Sequence, residues 1–301
     1  MAKKRRPKIG LALGSGGARG WCHIGILREL DEMGLRPDVI SGASMGALIG
    51  AVHAGGALDA MEDWARSLTA RSFFGMLDVR LSSGGLVEGA EILEVIRRLV
   101  TPERIEDLPV PLAVVATDMA TGREVWFTEG DLAEAVRASV ALPGVISPFR
   151  IGDRWFLDGG LTNPVPVTVC RILGAEVVIA ANPNGRFDGT FWAEREGQMP
   201  ALWTSWSERL RSLPASLAGL FESIGDKEPT PQYLDVIAAS IDIMTDSIRR
   251  AKLAGDPPHV LLDAHLSGLS VLDFHRASEA IDEGRRIVRD NAEAIARAAE
   301  I

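Results

Sequence analysis

Short apolar runs of strand length alternate with helical stretches up to residue 181, and this alternation limits the folds that the chain can adopt. Strands separated by helices favour a mostly parallel sheet with helices on both faces. With 301 residues, 47% of them apolar, the chain is long enough for one three-layer α/β/α domain, with or without an inserted subdomain. The strand-like runs are 9–13, 39–41, 110–117, 125–127, 155–157 and 177–181. The helical stretches are 21–33, 45–54, 58–68, 90–99, 132–140 and 166–173.

Ser44 lies in a tight turn between the second strand-like run and the helix that follows it. It is the centre of Gly42-Ala43-Ser44-Met45-Gly46. A serine on such a turn projects its hydroxyl beyond the sheet edge, and glycines two residues to either side let the backbone bend sharply. The pattern predicts the nucleophile elbow of a serine hydrolase, although small residues before a helix can also serve close packing alone.

A glycine-rich turn, residues 14–20, follows the first strand-like run and precedes a helix. Backbone N–H groups at the positive end of a helix suit an oxyanion or a phosphate. The spacing argues against a dinucleotide site, because Arg19 stands where the fingerprint has its third glycine, and Asp38 precedes its strand instead of ending it. A P-loop is less favoured still, because no Gly-Lys-Ser/Thr follows the glycines. An oxyanion cradle is therefore the favoured interpretation.

The sequence Asp158-Gly159-Gly160 follows another short strand-like run. Catalytic groups of open α/β sheets usually lie on loops that leave strand ends, so Asp158 is a candidate base for Ser44. A purely structural Asp-Gly turn would have the same sequence. Asp118, at the end of the run 110–117, is a further candidate for this pocket or again a turn residue.

These three motifs, in this order, resemble those of the patatin-like phospholipase family, and specifically its small bacterial members. The resemblance covers roughly residues 8–182, and the segment 138–143, Ala-Ser-Val-Ala-Leu-Pro, is also similar to the family. It implies a patatin-like form of the three-layer fold. It also implies an acyl-ester hydrolase that acts on lipid or lysolipid, of the phospholipase A or lysophospholipase type, with no metal and no organic cofactor.

The resemblance implies roles for individual residues as well. Ser44 would attack the acyl carbonyl and Asp158 would accept its proton, in a dyad that needs no histidine. The N–H groups of Gly16 and Gly17 would form the oxyanion hole, with Arg19 helping to hold their loop. The other members of the three motifs are Ala18, Gly20, Gly42, Gly46, Gly159 and Gly160.

An aspartate base requires an unusual environment, because a free carboxyl group has a pKa of about 3.9 and accepts protons poorly at neutral pH. We therefore expect desolvation under a bound acyl chain to raise the pKa of Asp158, and a direct hydrogen bond to join it to Ser44. The alternative is a Ser-Asp-His triad, because His259, His265 and His275 all follow Asp158 in the chain. A non-catalytic protein that uses the same fold to bind a partner is a further alternative.

The remaining regions extend this domain. We expect a basic tail over 1–8, a catalytic core over 9–183, a helical insertion or lid over 184–258, and a strand and helix over 259–301 that complete the core. An apolar stripe with three- and four-residue spacing in the insertion suits a lipid interface, a lid or a subunit contact. Its members are Trp203, Trp206, Leu210, Leu213, Leu217, Leu220 and Phe221.

Charge and cysteine content add two expectations about partners and location. A net charge of −9 disfavours nonspecific binding of nucleic acid, whose phosphates require a basic face. Cys22 and Cys170 lie in predicted helices without metal-type spacing, which predicts buried thiols in a reducing compartment. With no secretory signal and no bilayer-length apolar run, we expect a cytoplasmic protein with possible peripheral membrane contact through 184–258.

Overall fold

The computed structural model describes residues 5–69, 88–185 and 233–301. These residues form eight strands and nine α-helices. The strands are β1 (Ile9–Leu13), β2 (Val39–Ala43), β3 (Leu112–Asp118), β4 (Glu124–Phe127), β5 (Phe149–Ile151), β6 (Arg154–Asp158), β7 (Val177–Asn182) and β8 (Val260–Asp263). The helices are α1 (Cys22–Glu32), α2 (Met45–Ala54), α3 (Leu58–Ser67), α4 (Ala90–Leu99), α5 (Leu132–Ser139), α6 (Val167–Ile172), α7 (Tyr233–Gly255), α8 (Ala277–Asp290) and α9 (Ala292–Ala299).

All eight strands belong to one sheet, whose main path is β5-β6-β3-β2-β1-β7-β8, with β4 paired to β3 outside this path. Strands β3, β2, β1, β7 and β8 pair in parallel, whereas β4, β5 and β6 pair antiparallel. Leu13 at the end of β1 lies opposite Gly42 in β2 and Ala181 in β7. The carboxyl ends of these three strands therefore meet at one edge of the sheet.

Helices cover both faces of the sheet, which confirms the predicted three-layer α/β/α fold. Side chains on a strand alternate between faces, and Ile9, Leu11 and Leu13 of β1 pack into the core cluster that also contains α1, α2 and α8. Ala12 points to the opposite face, where it packs with side chains of α6 that include Cys170. The central strands are buried along their whole length, as expected for a parallel sheet between two helical layers.

Three features differ from the sequence prediction or lie beyond it. Strand β5 lies outside the predicted runs. The one helix predicted within 259–301 is a 3-10 turn followed by α8 and α9, which separate at Asn291. A long helix, α7, occupies 233–255 of the predicted insertion. The predicted stripe from Trp203 to Phe221 lies outside the described residues.

The described part of the basic N-terminus pairs with carboxylates at the start of the sheet. Arg5 pairs with Glu176, and Arg6 donates to both carboxylate oxygens of Asp38 at 2.8 Å. Asp38 also accepts the backbone N–H of Ile9 at 2.7 Å, so it anchors the beginning of β1. Of the helices that the structure describes, none combines the length and apolar character that a bilayer crossing requires.

Candidate active site

Ser44 occupies a strained turn between β2 and α2. Its backbone angles are φ 54° and ψ −123°. Residues other than glycine rarely adopt this conformation, which costs about 1–3 kcal/mol. A methyl group on Gly46 would lie 2.1 Å from the carbonyl oxygen of Leu13, and one on Gly42 would lie 2.4 Å from that of Gly46. Both positions therefore require glycine, and the turn has the form of a nucleophile elbow.

Ser44 and Asp158 are in direct contact although 114 residues separate them in the chain. The Ser44 hydroxyl donates to Oδ2 of Asp158 at 2.6 Å, and both residues are buried. The other carboxylate oxygen, Oδ1, accepts the backbone N–H of Gly160 at 2.7 Å. Thr117 donates from its hydroxyl to the Asp158 carbonyl oxygen at 2.8 Å. The hydrogen bonds from Gly160 and Thr117 therefore hold Asp158 in the orientation in which Oδ2 accepts the Ser44 hydroxyl.

Burial raises the pKa of Asp158 to about 6, because desolvation disfavours the charged carboxylate. The hydrogen bonds from Ser44 and Gly160 oppose this rise, since they stabilise the charged form. At neutral pH Asp158 remains largely ionised, and it is a better proton acceptor than a free aspartate.

The glycine loop lies at the same sheet edge, where β1 ends. Ser15 donates its backbone N–H to the Pro164 carbonyl, and Ala18 donates to the Val271 carbonyl, both at 2.8 Å. Between these fixed points, the N–H groups of Gly16 and Gly17 donate to no residue that the structure describes. Gly17 has φ 53°, and a methyl group there would lie 2.4 Å from the Val271 carbonyl oxygen. Two amides are therefore free within a fixed loop.

Close contacts join the three motifs. A methyl group on Gly20 would lie 2.4 Å from Cβ of Met45, beside Ser44, and one on Gly160 would lie 2.6 Å from Oγ of Ser15. The structure thus brings together the predicted nucleophile, carboxylate and glycine loop. Ala18 and Arg19 are buried within the loop.

Ser139 is a contact of Ser44 that the sequence analysis did not identify. The backbone N–H of Ser44 donates to Ser139 Oγ at 2.8 Å, and Ser139 donates in turn to the Val115 carbonyl at 2.5 Å. Ser139 therefore supports the strained turn from the end of α5. Its only sequence signal was its place in the segment 138–143, which resembles the family but carried no assigned role.

His259, the first triad candidate, lies at the opposite edge of the sheet. Its Nδ1 accepts the backbone N–H of Val178 at 3.0 Å. Val178 lies opposite Gly10, which lies opposite Val39. Ser44 is five residues beyond Val39, or about 16 Å at 3.3 Å per residue. This distance excludes a hydrogen-bonded triad through His259.

The other histidines are not hydrogen-bonded to the dyad either. His265 is exposed and His275 lies in the 3-10 turn before α8. Among the described residues, no histidine is hydrogen-bonded to Ser44 or Asp158. The Nε2 atom of His23 lies 2.7 Å from the Gly14 carbonyl oxygen. Burial lowers the pKa of His23 to about 4, so this side chain is neutral and supports the glycine loop.

Asp118 forms the turn between β3 and β4 and is not a contact of Ser44. Its Oδ1 accepts the backbone N–H groups of Ala120 and Thr121, and its Oδ2 accepts Nε of Arg154 at 2.7 Å. These hydrogen bonds lower its pKa to about 2. The structural interpretation of Asp118 is therefore the right one. Within the described ranges, no cluster of three or more potential ligands could hold a metal ion.

The comparison with family models matches residues 11–171, just over half of the chain, to the family described as patatin-like phospholipase. The chain belongs to the patatin-like phospholipase family. The matched range contains the glycine loop, Ser44 and Asp158, so the three motifs that carried the resemblance lie within it. Membership supports a lipid hydrolase activity in general.

Relatives with similar sequences include bacterial and animal members of the family. An uncharacterised NTE family protein of Mycobacterium tuberculosis is 35% identical over 332 residues, covering 96% of this chain and 92% of the relative. Human patatin-like phospholipase domain-containing protein 6 is 32% identical over 205 residues, which cover 66% of this chain but 15% of the human protein. Among solved structures, VipD from Legionella pneumophila aligns over 97% of this chain and 67% of its own, with a TM-score of 0.46 and 15% identity.

Proposed function

We propose that this patatin-like protein is a serine acyl-ester hydrolase of lipids, of the phospholipase A or lysophospholipase type, with a catalytic dyad of Ser44 and Asp158. The observation that carries the proposal is the 2.6 Å hydrogen bond from Ser44 Oγ to a buried Asp158 carboxylate. A hydroxyl that already donates to its base needs no rearrangement to lose its proton.

In the proposed reaction, Ser44 Oγ attacks the ester carbonyl carbon while its proton passes to Asp158 Oδ2. The negative charge that develops on the carbonyl oxygen is stabilised by the free N–H groups of Gly16 and Gly17. The intermediate then expels the alcohol, which takes the proton from Asp158. A water molecule next gives a proton to Asp158 and attacks the acyl-serine carbonyl carbon. When this second intermediate collapses, the bond to Ser44 Oγ breaks, the fatty acid leaves, and Oγ takes the proton back from Asp158.

Two features of the site favour this reaction over a ground-state binding role. The raised pKa of Asp158 makes it a base better matched to neutral pH. The Gly16 and Gly17 amides lie in a loop held by its neighbours, so little reorganisation is needed when the oxyanion forms. Loss of one such donor typically costs about 10²–10³ in turnover.

A lipid surface beside the site is the proposed location of the substrate. Helix α7 packs against the turn that begins at Gly159 and contributes Asp242 to the partners of Arg19. The next two residues on α7, Ile243 and Met244, are 62% and 52% exposed. Large apolar side chains exposed next to a lipid-hydrolase site suit contact with acyl chains or with a membrane interface.

The dyad is tested with Ser44→Ala and Asp158→Asn, assayed for hydrolysis of a lysophospholipid and for labelling by a fluorophosphonate. We expect Ser44→Ala to abolish both labelling and hydrolysis. We expect Asp158→Asn to lower turnover by about 10²–10⁴, the usual contribution of a general base. Circular dichroism checks that both variants fold.

Two histidine variants are the matched controls. His259→Asn retains an oxygen that can accept the Val178 N–H, and His265→Ala changes an exposed side chain. Both are expected to retain wild-type turnover. Activity that survives Asp158→Asn but disappears in either histidine variant would show that the dyad is wrong. A wild-type Ser44 inert to the fluorophosphonate would favour the non-catalytic binding protein.

A further inference from the structure

The side chain of Arg19 connects the glycine loop to three distant segments of the chain. Its Nε donates to the Leu269 carbonyl oxygen at 2.8 Å, and its Nη1 donates to Oδ1 of Asn184 at 2.9 Å. Both terminal nitrogens lie 3.3 Å from Oδ2 of Asp242 on α7. Arg19 and Asp242 are buried, and a buried charge is tolerated only with such partners.

Asn184 joins this ion pair to the backbone of the glycine loop. Arginine can only donate, so the Asn184 oxygen faces Arg19 and its amide nitrogen is left to donate elsewhere. That nitrogen, Nδ2, donates to the Ser15 carbonyl oxygen at 3.0 Å. The Ser15 carbonyl and the Gly16 N–H belong to one planar trans peptide unit, in which they point in opposite directions. Asn184 therefore sets the direction of the Gly16 N–H.

The backbone of Arg19 has the same effect on the next amide. Its N–H donates to the Gly16 carbonyl oxygen at 3.1 Å, and that carbonyl shares a peptide unit with the Gly17 N–H. Glycine imposes few limits on its own backbone angles, so these peptide units depend on external contacts for their direction. Asn184 therefore fixes the Gly16 N–H through the Ser15 carbonyl, and the backbone of Arg19 fixes the Gly17 N–H through the Gly16 carbonyl.

We infer that Asn184 and Asp242 are positioning residues for the two oxyanion donors, acting through the Ser15 carbonyl and through Arg19. This inference rests on the proposed function. Neither residue is hydrogen-bonded to Ser44 or Asp158, so neither takes part in proton transfer. Oxyanion donors stabilise the transition state more than the bound ester, so misdirected amides reduce kcat and leave KM nearly unchanged.

Two variants separate the contacts. Asn184→Asp keeps an oxygen for Arg19 but removes the donor to the Ser15 carbonyl, and Asp242→Asn removes the charge that pairs with Arg19. Asp246→Asn is the matched control, because Asp246 lies one turn further along α7 and pairs with Arg249 and Arg250 instead. For each variant we measure kcat and KM with p-nitrophenyl butyrate, the melting temperature, and Ki for a trifluoromethyl ketone that forms a tetrahedral oxyanion adduct with the nucleophile.

We expect Asn184→Asp to lower kcat by about 10- to 100-fold with KM changed less than about twofold, and to weaken trifluoromethyl ketone binding by the same factor. Asp242→Asn should also lower kcat and weaken trifluoromethyl ketone binding, by smaller factors. Asp246→Asn should match wild type in kcat, KM and Ki. Should Asn184→Asp fail to fold, the Asp242→Asn result decides.

The inference is overturned if the folded variants retain wild-type kcat, or if kcat falls while the Ki of the ketone stays constant. An active wild-type enzyme with unaffected variants removes this inference alone. A wild-type protein that neither hydrolyses the ester nor reacts with a fluorophosphonate removes the proposed function itself.

Discussion

At the scale of single residues, Asp158 destabilises the fold by the same burial that suits it to its proposed task. Its pKa in the folded chain is about 6, against an ordinary value of 3.8. One pKa unit corresponds to about 1.4 kcal/mol, so keeping the buried carboxylate charged costs about 3 kcal/mol. This cost is absent below the unfolded pKa, where the group is protonated in both states, and reaches its full size above the folded pKa.

Asp158→Asn is therefore expected to be more stable than wild type at neutral pH. Its Oδ1 can accept the Gly160 N–H and its Nδ2 can donate to Ser44. Urea unfolding should give equal stabilities below about pH 3 and a difference that grows to about 3 kcal/mol above pH 6. Asp118→Asn is the control of opposite sign. The pKa of Asp118 is lowered, so this variant should be less stable at neutral pH and approach wild type as the pH falls. A difference for Asp158→Asn that does not change with pH would contradict the argument.

Among the elements of the fold, local pattern located the strands that contain an apolar run and missed the strand that lacks one. Strands β1, β2 and β7 are buried along their length, and their apolar runs predicted them within two residues of their ends. Strand β5 has only three residues, and Arg150 separates its two apolar side chains, so no apolar run marks it. Helix α7 exposes apolar residues and buries Asp242, so its apolar residues do not mark a single buried face in the sequence.

The same limit applies to the residues of the site. Ser44, Asp158 and the glycine loop lie in motifs with local sequence signatures, so the sequence alone marks them as candidates. Ser139, Asn184 and Asp242 are hydrogen-bonded to residues 95, 169 and 223 positions away in the chain. No spacing within the sequence expresses such contacts, because they arise only when separate segments meet at the sheet edge.

The contact between α1 and α8 provides a prediction at this scale. A methyl group on Gly284 would lie 2.0 Å from the Cys22 carbonyl oxygen, so the backbones approach too closely for any side chain. Gly284→Ala should force the helices apart and reduce the free energy of unfolding by about 1–3 kcal/mol. Gly255→Ala, at the end of α7, should be neutral or slightly stabilising, because the added methyl group would meet no other part of the fold within 4 Å. Urea unfolding compares the two, and equal effects would refute the packing argument.

At the scale of the whole molecule, the site lies at the carboxyl edge of the parallel strands and α7 lies beside it. Asp242 of α7 is buried and pairs with Arg19 of the glycine loop, whereas the next two residues of the helix, Ile243 and Met244, are exposed. Ile172 is equally exposed, at 60%, but it ends α6 just before β7 begins, and so lies at the opposite edge of the sheet. Ile243 and Met244 thus differ from Ile172 in their distance from the candidate site, although all three are exposed.

We expect the double variant Ile243→Ser/Met244→Ser to bind phospholipid vesicles several-fold more weakly than wild type in co-sedimentation, because the apolar area available for insertion is reduced. Ile172→Ser should pellet like wild type, because its surface faces away from the substrate. Hydrolysis of the soluble ester p-nitrophenyl butyrate should match wild type in both variants, since none of these side chains is hydrogen-bonded to the dyad or lies on the strands that carry it. Hydrolysis of vesicle lipid should fall only in the double variant. Equal pelleting of the double variant and wild type would remove α7 from the lipid contact. An equal loss in Ile172→Ser would show that replacing any exposed apolar side chain weakens pelleting, wherever it lies.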